Sequence, residues 1–271
     1  MRHVEYSIGV SAKAVLGDYA YINDFDLESA TIIGATGKVL VDIDANFYIS
    51  QGILSTPKLL KVLNRADDPI SGKYSWHSVN KYRLQSLPRS EKIANISQVF
   101  ESHGYKSLIL CNTKNHAKVI ANILYEHFNV TPLLSFGQGE FLVPRGNMEF
   151  SDYESDEPIS DFESGKVKIL IGTTHLYEGV DIPNLDAVIL ASVGKSIRRV
   201  IQAVGRAVRI SKTGKYAYIV DFADIGDNIL TKHSKLRLKT LKDEVGISQD
   251  SIYTGSVSEL SNVFKSLEGL S

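Results

Sequence analysis

Five short apolar runs alternate with helical segments, and that alternation leaves this chain few architectures. The runs are residues 106–111, 130–136, 167–171, 186–191 and 216–222. Those at 167–171 and 186–191 are near-continuous in Leu, Ile, Val and Ala, without polar alternation, as in a strand buried on both faces. Between and after them lie helical stretches at 115–128, 197–209 and 227–241, with another at 75–102 broken at Pro88. Strands that alternate with helices build a parallel sheet covered on both sides. The expected class is therefore α/β, with one parallel sheet from 106 to 222 and helices on both faces. A length of 271 residues, 43% of them hydrophobic, supplies a core for one large domain plus extensions. Residues 145–164 read as a polar loop inserted between strands.

The helix at 197–209 carries unusual chemistry. Ile197, Val200, Ile201, Val204 and Val208 share one face, while Gln202, Arg206 and Arg209 share the other at i, i+4 and i+7. No Asp or Glu occurs between Asp186 and Asp221, so these guanidiniums have no local acidic partner. A guanidinium fork stays charged and donates two parallel hydrogen bonds, which suits phosphate. A solvated basic face is the bland alternative, and the neighbouring sequence weighs against it. Gly172, Thr173 and Thr174 follow the strand at 167–171, at the edge where open α/β sheets place ligands. Gly179 permits a tight turn there, and Asp181 offers a carboxylate to a ribose or an arginine.

These residues resemble the carboxyl-terminal motor domain of superfamily-two helicases of the DEAD/DEAH-like type. Gly172-Thr173 through Glu178-Gly179-Val180-Asp181-Ile182-Pro183 is similar to motif V, and Gln202-Ala-Val-Gly205-Arg206-Ala-Val-Arg209 to motif VI. Ser107-Leu-Ile-Leu-Cys-Asn-Thr-Lys114 is similar to motif IV. Ser11-Ala12-Lys13 resembles motif III, with Lys13 where the family usually has Thr, so the hydroxyl is absent. Within the family the pattern looks most like the phage and bacterial DNA translocases and branch-remodelling helicases.

The resemblance implies a RecA-like fold preceded by a remnant of the first motor domain. Residues 1–45 would be that remnant and linker, 46–245 the second RecA-like domain and 246–271 a tail with a short docking helix; 46–63 would bridge into the domain. It implies ATP and Mg²⁺ as cofactors, held mainly by an amino-terminal motor half supplied in cis or trans. Arg206, Arg209 and Gln202 would be the catalytic set, and Gly179, Asp181, Arg206 and Arg209 would contact the nucleotide. Asn112, Thr113, Thr173, Thr174 and His175 would contact nucleic acid, with DNA expected over RNA. For His175 an exposed loop position is an equal alternative.

A phosphate-cradling G-x-x-x-x-G-K-[ST] pattern is missing. Gly34-Ala-Thr-Gly37-Lys38-Val39 has too few residues between its glycines and places Val39 where a hydroxyl is needed. Asp156-Glu157 has no apolar strand before it to present a metal-binding carboxylate. The chain is thus expected to be inactive as an ATPase alone, whether as a fragment, a split-gene product or a relic. The alternative function is a non-catalytic nucleic-acid-binding or regulatory module derived from a helicase.

The formal net charge of −1 hides strong patterning: 149–163 is acidic without a basic residue, and 195–215 is basic without an acidic one. The single Cys111 argues against a disulfide framework and reads as a small buried residue. No metal-ligand spacing and no long apolar run occurs, so neither a bound zinc nor a membrane span is expected. The expected compartment is the cytoplasm of a bacterium or phage-infected cell. Lys232, Lys235, Arg237 and Lys239 read as a solvated face, with backbone contact as the alternative.

Overall fold

A computed structural model describes residues 45–65, 74–137, 139–173, 182, 185–192, 205 and 216–270. The chain divides into two units, Met1–Asp44 and Ala45–Ser271, and all described residues lie in the second. The motif III stretch, the expected remnant of a first motor domain and the Gly34–Gly37 turn lie outside them.

In chain order the described elements are α1 (Ala45–Ser50), β1 (Thr56–Arg65), α2 (Trp76–Val79) running into a π-helical turn (Asn80–Leu84), α3 (Leu87–Ser102), β2 (Ser107–Leu110), α4 (Lys114–Phe128), β3 (Leu133–Ser135), β4 (Phe141–Gly146), β5 (Glu149–Asp152), α5 (Pro158–Ser164), β6 (Ile169–Gly172), β7 (Ala187–Ile189), β8 (Tyr216–Ile225), α6 (Asn228–Val245), β9 (Ile252–Gly255) and α7 (Val257–Glu268). Helix starts follow local chemistry. Thr113 caps α4 by accepting the His116 N–H, Asp227 caps α6 by accepting from Leu230, and Ser256 with Glu259 forms a capping box on α7. Pro88 sits in the first turn of α3, where a missing N–H costs nothing.

The nine strands form one sheet in the order β5-β4-β3-β6-β2-β7-β8-β1-β9. Every pairing from β3 to β9 is parallel. Strand residues alternate between two cores. Ile109, Ile171, Ile189 and Val220 face a cluster with Ile93, Phe100, Ile120, Leu124 and Phe264, covered by α3, α4 and α7. Leu108, Leu170, Val188 and Ile219 face Phe162, Leu241 and Val245 from α5 and α6. The expected α/β class with helices on both faces is therefore found, and residues 106–111 and 216–222 contain strands as read.

Two readings need correction. The stretch 145–164 is not a loop: it completes β4, forms β5 and folds into α5. β4 pairs antiparallel with both β3 and β5, so the sheet is mixed rather than wholly parallel. The turn between the two strands passes through Asn147 (φ 50) and Met148 (φ 61), and a bulge follows Pro144. The stretch 46–63 is no bridge either. β1 pairs along its full ten residues with β8, and its Leu59–Val62 also pair with β9, which puts it inside the sheet. Its Lys61 obscured this, because that ammonium is buried against Asp221 at 3.4 Å.

Candidate nucleotide and nucleic-acid edge of the sheet

The carboxyl ends of β2, β6 and β7 are joined by three hydrogen bonds. Cys111 N–H donates to the Gly172 carbonyl (2.8 Å), Asn112 N–H donates to Ser192 Oγ (2.7 Å), and Ser192 N–H donates to the Leu110 carbonyl (3.3 Å). Asn112, Thr173 and Ser192 therefore meet at one edge. The three differ in availability. Asn112 is partly exposed, whereas Thr173 is 5% exposed and Ser192 is buried. The Thr113 hydroxyl already serves as the cap of α4, accepting the His116 N–H at 3.2 Å.

Behind this edge lie groups that sequence reasoning missed. His116 is fully buried, with Nδ1 3.3 Å from Ser192 Oγ and Nε2 without a hydrogen-bond partner among the described residues. Burial, helped by the nearby Arg89 guanidinium, pushes its pKa down to about 3, so the ring is neutral. Arg89 is 1% exposed. Its Nε and Nη2 each donate to the Ala191 carbonyl at 3.2 Å, Nη1 pairs with Asp224 Oδ1, and the guanidinium lies 4.0 Å from the centroid of the Phe222 ring. Asp224 Oδ1 also accepts from Asn64 Nδ2 at 3.0 Å, while Oδ2 is buried without a partner among the described residues. One side chain of α3 thus pins the end of β7 to β8.

A second buried charge group holds α6. Arg237 Nη2 and Nε reach Asp221 Oδ1 at 2.8 and 2.9 Å, and Lys61 Nζ reaches Ser234 Oγ at 3.0 Å. Burial alone would raise the Asp221 carboxyl, but Arg237 and Lys61 outweigh it and hold it below the usual carboxylate range. Arg237 is 4% exposed, which corrects its reading as part of a solvated or backbone-contacting face. Cys111 is buried and free, and burial pushes its thiol pKa up, as suits a packing residue.

Thr174, His175, Gly179, Asp181, Gln202, Arg206 and Arg209 lie outside the described residues. Between Gln202 and Arg209, Gly205 is described: it is helical and exposed, and a Cβ there would meet no atom within 4 Å. Among the described residues no group of three or more His, Cys, Asp or Glu is placed to hold a metal ion, and no helix is long and apolar enough to cross a membrane.

Residues 91–211 match the helicase conserved C-terminal domain, a span that takes in the β2, β6 and β7 edge and the sequence positions of Gln202, Arg206 and Arg209. The chain carries a superfamily-two helicase C-terminal domain. Among curated relatives of this helicase domain, putative helicase 22 of Sulfolobus islandicus filamentous virus is 26% identical over 231 residues, covering 81% of this chain and 39% of that protein. The putative mitochondrial ATP-dependent helicase irc3 of Schizosaccharomyces pombe is 26% identical over 208 residues, covering 72% of this chain and 32% of that one. The chain thus spans less than half the length of either. A fragment of a putative HsdR subunit of a type I restriction enzyme from Vibrio vulnificus shares the fold at TM-score 0.56 and 17% identity, over 83% of this chain and 41% of that one. Two short stretches, 11–28 and 204–225, also match an LVIVD repeat; the second ends on β8.

Proposed function

We propose that this helicase domain is the second motor domain of an ATP-dependent nucleic-acid translocase, acting on DNA. The observation that carries the reading is the stitched carboxyl edge of β2, β6 and β7, which lies within the helicase-matched span. In this reading residues 1–45 belong to the end of a first motor domain, and 46 onward form the second. A motor half in cis or trans holds the triphosphate and Mg²⁺. This chain closes over the nucleotide with Arg206 and Arg209, while Gln202, Gly179 and Asp181 orient the site. Asn112, Thr113, Thr173, Thr174 and His175 follow the nucleic-acid backbone.

Guanidiniums aimed at the transferring phosphoryl group stabilise charge that develops only in the transition state. Their loss should therefore lower kcat more than it weakens nucleic-acid binding. The test uses the chain together with an amino-terminal motor half. Arg209→Ala should reduce DNA-stimulated kcat about 100-fold or more and leave DNA affinity nearly unchanged, and Arg209→Lys should restore little, since the fork is lost. Spared turnover with weakened binding and a flatter salt dependence would make the helix a backbone-binding element instead. Equal or greater stimulation by RNA would refute the DNA assignment.

A further inference from the structure

On α6, Lys232, Lys235 and Lys239 project from one exposed face, and no carboxylate occurs in the helix from Asn228 to Lys242. None of the three lysines pairs with an acidic group among the described residues. Together with His233 and Leu236 they line a groove of about 390 Å³. At its amino-terminal end Trp76 packs against the His233 ring, with centroids 5.0 Å apart and planes at 55°. Trp76 remains 39% exposed. The helical segment that carries Trp76 is anchored to α6 by Val79 and Leu84 against Leu230, which fixes the backbone beneath the indole.

A lysine row alone is most simply a solvated face. An indole fixed at the end of that row, half open to solvent, is harder to account for that way. Apolar floor and aromatic rim suit the face of a base, and the lysines suit the phosphates that connect bases. Lys232 to Lys239 spans seven residues, roughly 10 Å of helix, or about three nucleotides at about 3.4 Å each along a strand. We propose that this α6 face, with Trp76, is a second nucleic-acid contact that takes a single strand, stacking a base on the indole and placing its phosphates along the lysines. It extends the nucleic-acid reading above to a surface that reading does not use. A duplex keeps its bases stacked inside and offers no free base to Trp76, so the single strand is the favoured occupant.

Trp76 is the only tryptophan in the chain, so its emission reports this surface alone. The full chain is titrated with fluorescein-labelled oligo(dT) of about 20 nucleotides, following both label anisotropy and tryptophan emission. Binding should quench the emission. Combined Lys232→Gln, Lys235→Gln and Lys239→Gln should weaken binding at least about tenfold at low salt and flatten the log K against log salt slope by about two. Trp76→Phe should weaken binding less than the lysine changes without altering that slope. Unchanged emission during binding, with the lysine variant indistinguishable from wild type, would overturn the proposal and leave the sheet-edge reading standing. Equal quenching by blunt duplex or by polyglutamate would also overturn it, assigning the face to a duplex or to an acidic protein. No anisotropy change with any nucleic acid would remove the nucleic-acid reading itself.

Discussion

Replacing Arg89 with methionine should cost this domain more stability than a surface charge could. Methionine keeps much of the apolar stem but removes every hydrogen bond from the guanidinium. The Ala191 carbonyl loses two donors, and Asp224, itself 3% exposed, keeps among the described residues only the Asn64 amide at 3.0 Å. An ionised carboxylate left in that position is the expensive part: breaking a buried ion pair from one side costs about 3–5 kcal/mol. The surviving Asn64 bond places the expectation near the lower end, about 3 kcal/mol. Urea denaturation of the full chain followed by far-UV circular dichroism measures it, as a shift in midpoint at constant m. Adding Asp224→Asn to Arg89→Met should recover half or more of the loss, because the double variant buries no unpaired charge. A single-variant loss below about 1 kcal/mol, or a double variant no better than the single one, would refute this account of the cluster.

His116 gives a pH signature. Its folded pKa of about 3 lies below the ordinary value of 6.5, so the unfolded chain takes up a proton that the native state refuses as pH falls from 6.5 toward 3. Stability should be greatest above pH 6.5 and decline below it by up to about 1.4 kcal/mol per pH unit from this group. His116→Gln should remove that part of the slope in urea titrations at pH 4–6, and an unchanged slope would disprove it. Gly246, at the end of α6, has φ +74, and a Cβ there would stand 2.8 Å from Asn46 Oδ1. Gly246→Ala should therefore cost about 1–3 kcal/mol, with Asn46→Ala relieving the contact but leaving the roughly 1 kcal/mol of backbone strain; full recovery in the double variant would show that strain is absent.

Central strands were legible because burial on both faces forces a near-continuous apolar run, as at Ile169–Gly172 and Ala187–Ile189. The helices read at 115–128 and 227–241 were legible too, and the structure starts them at Lys114 and Asn228, each after its capping residue. What escaped was set by distant partners. Lys61 and Arg237 look like surface residues until Asp221 is placed between them, and Arg89 looks like any helix-start cation until Ala191 and Asp224 close around it. The β4–β5 hairpin escaped because Pro144, Arg145 and its acidic residues mark an edge rather than a core strand, and edges are written in the same letters as loops. At the candidate site, motif spacing identified Asn112 and Thr173 at the sheet edge. It gave no sign that His116 and Arg89 sit behind them, since neither belongs to a local pattern.

The pairing of β1 with β8 has a consequence in time. Lys61 and Asp221 stand 160 positions apart, and at about 5–20 residues per second of synthesis a ribosome needs roughly 8–32 s to make the partner that β1 requires. Through that interval a ten-residue strand is in the cell without its neighbour. Its lysines at positions 58 and 61 then act as charged gatekeepers, deterring edge-to-edge association with other nascent chains until Asp221 emerges to neutralise one of them.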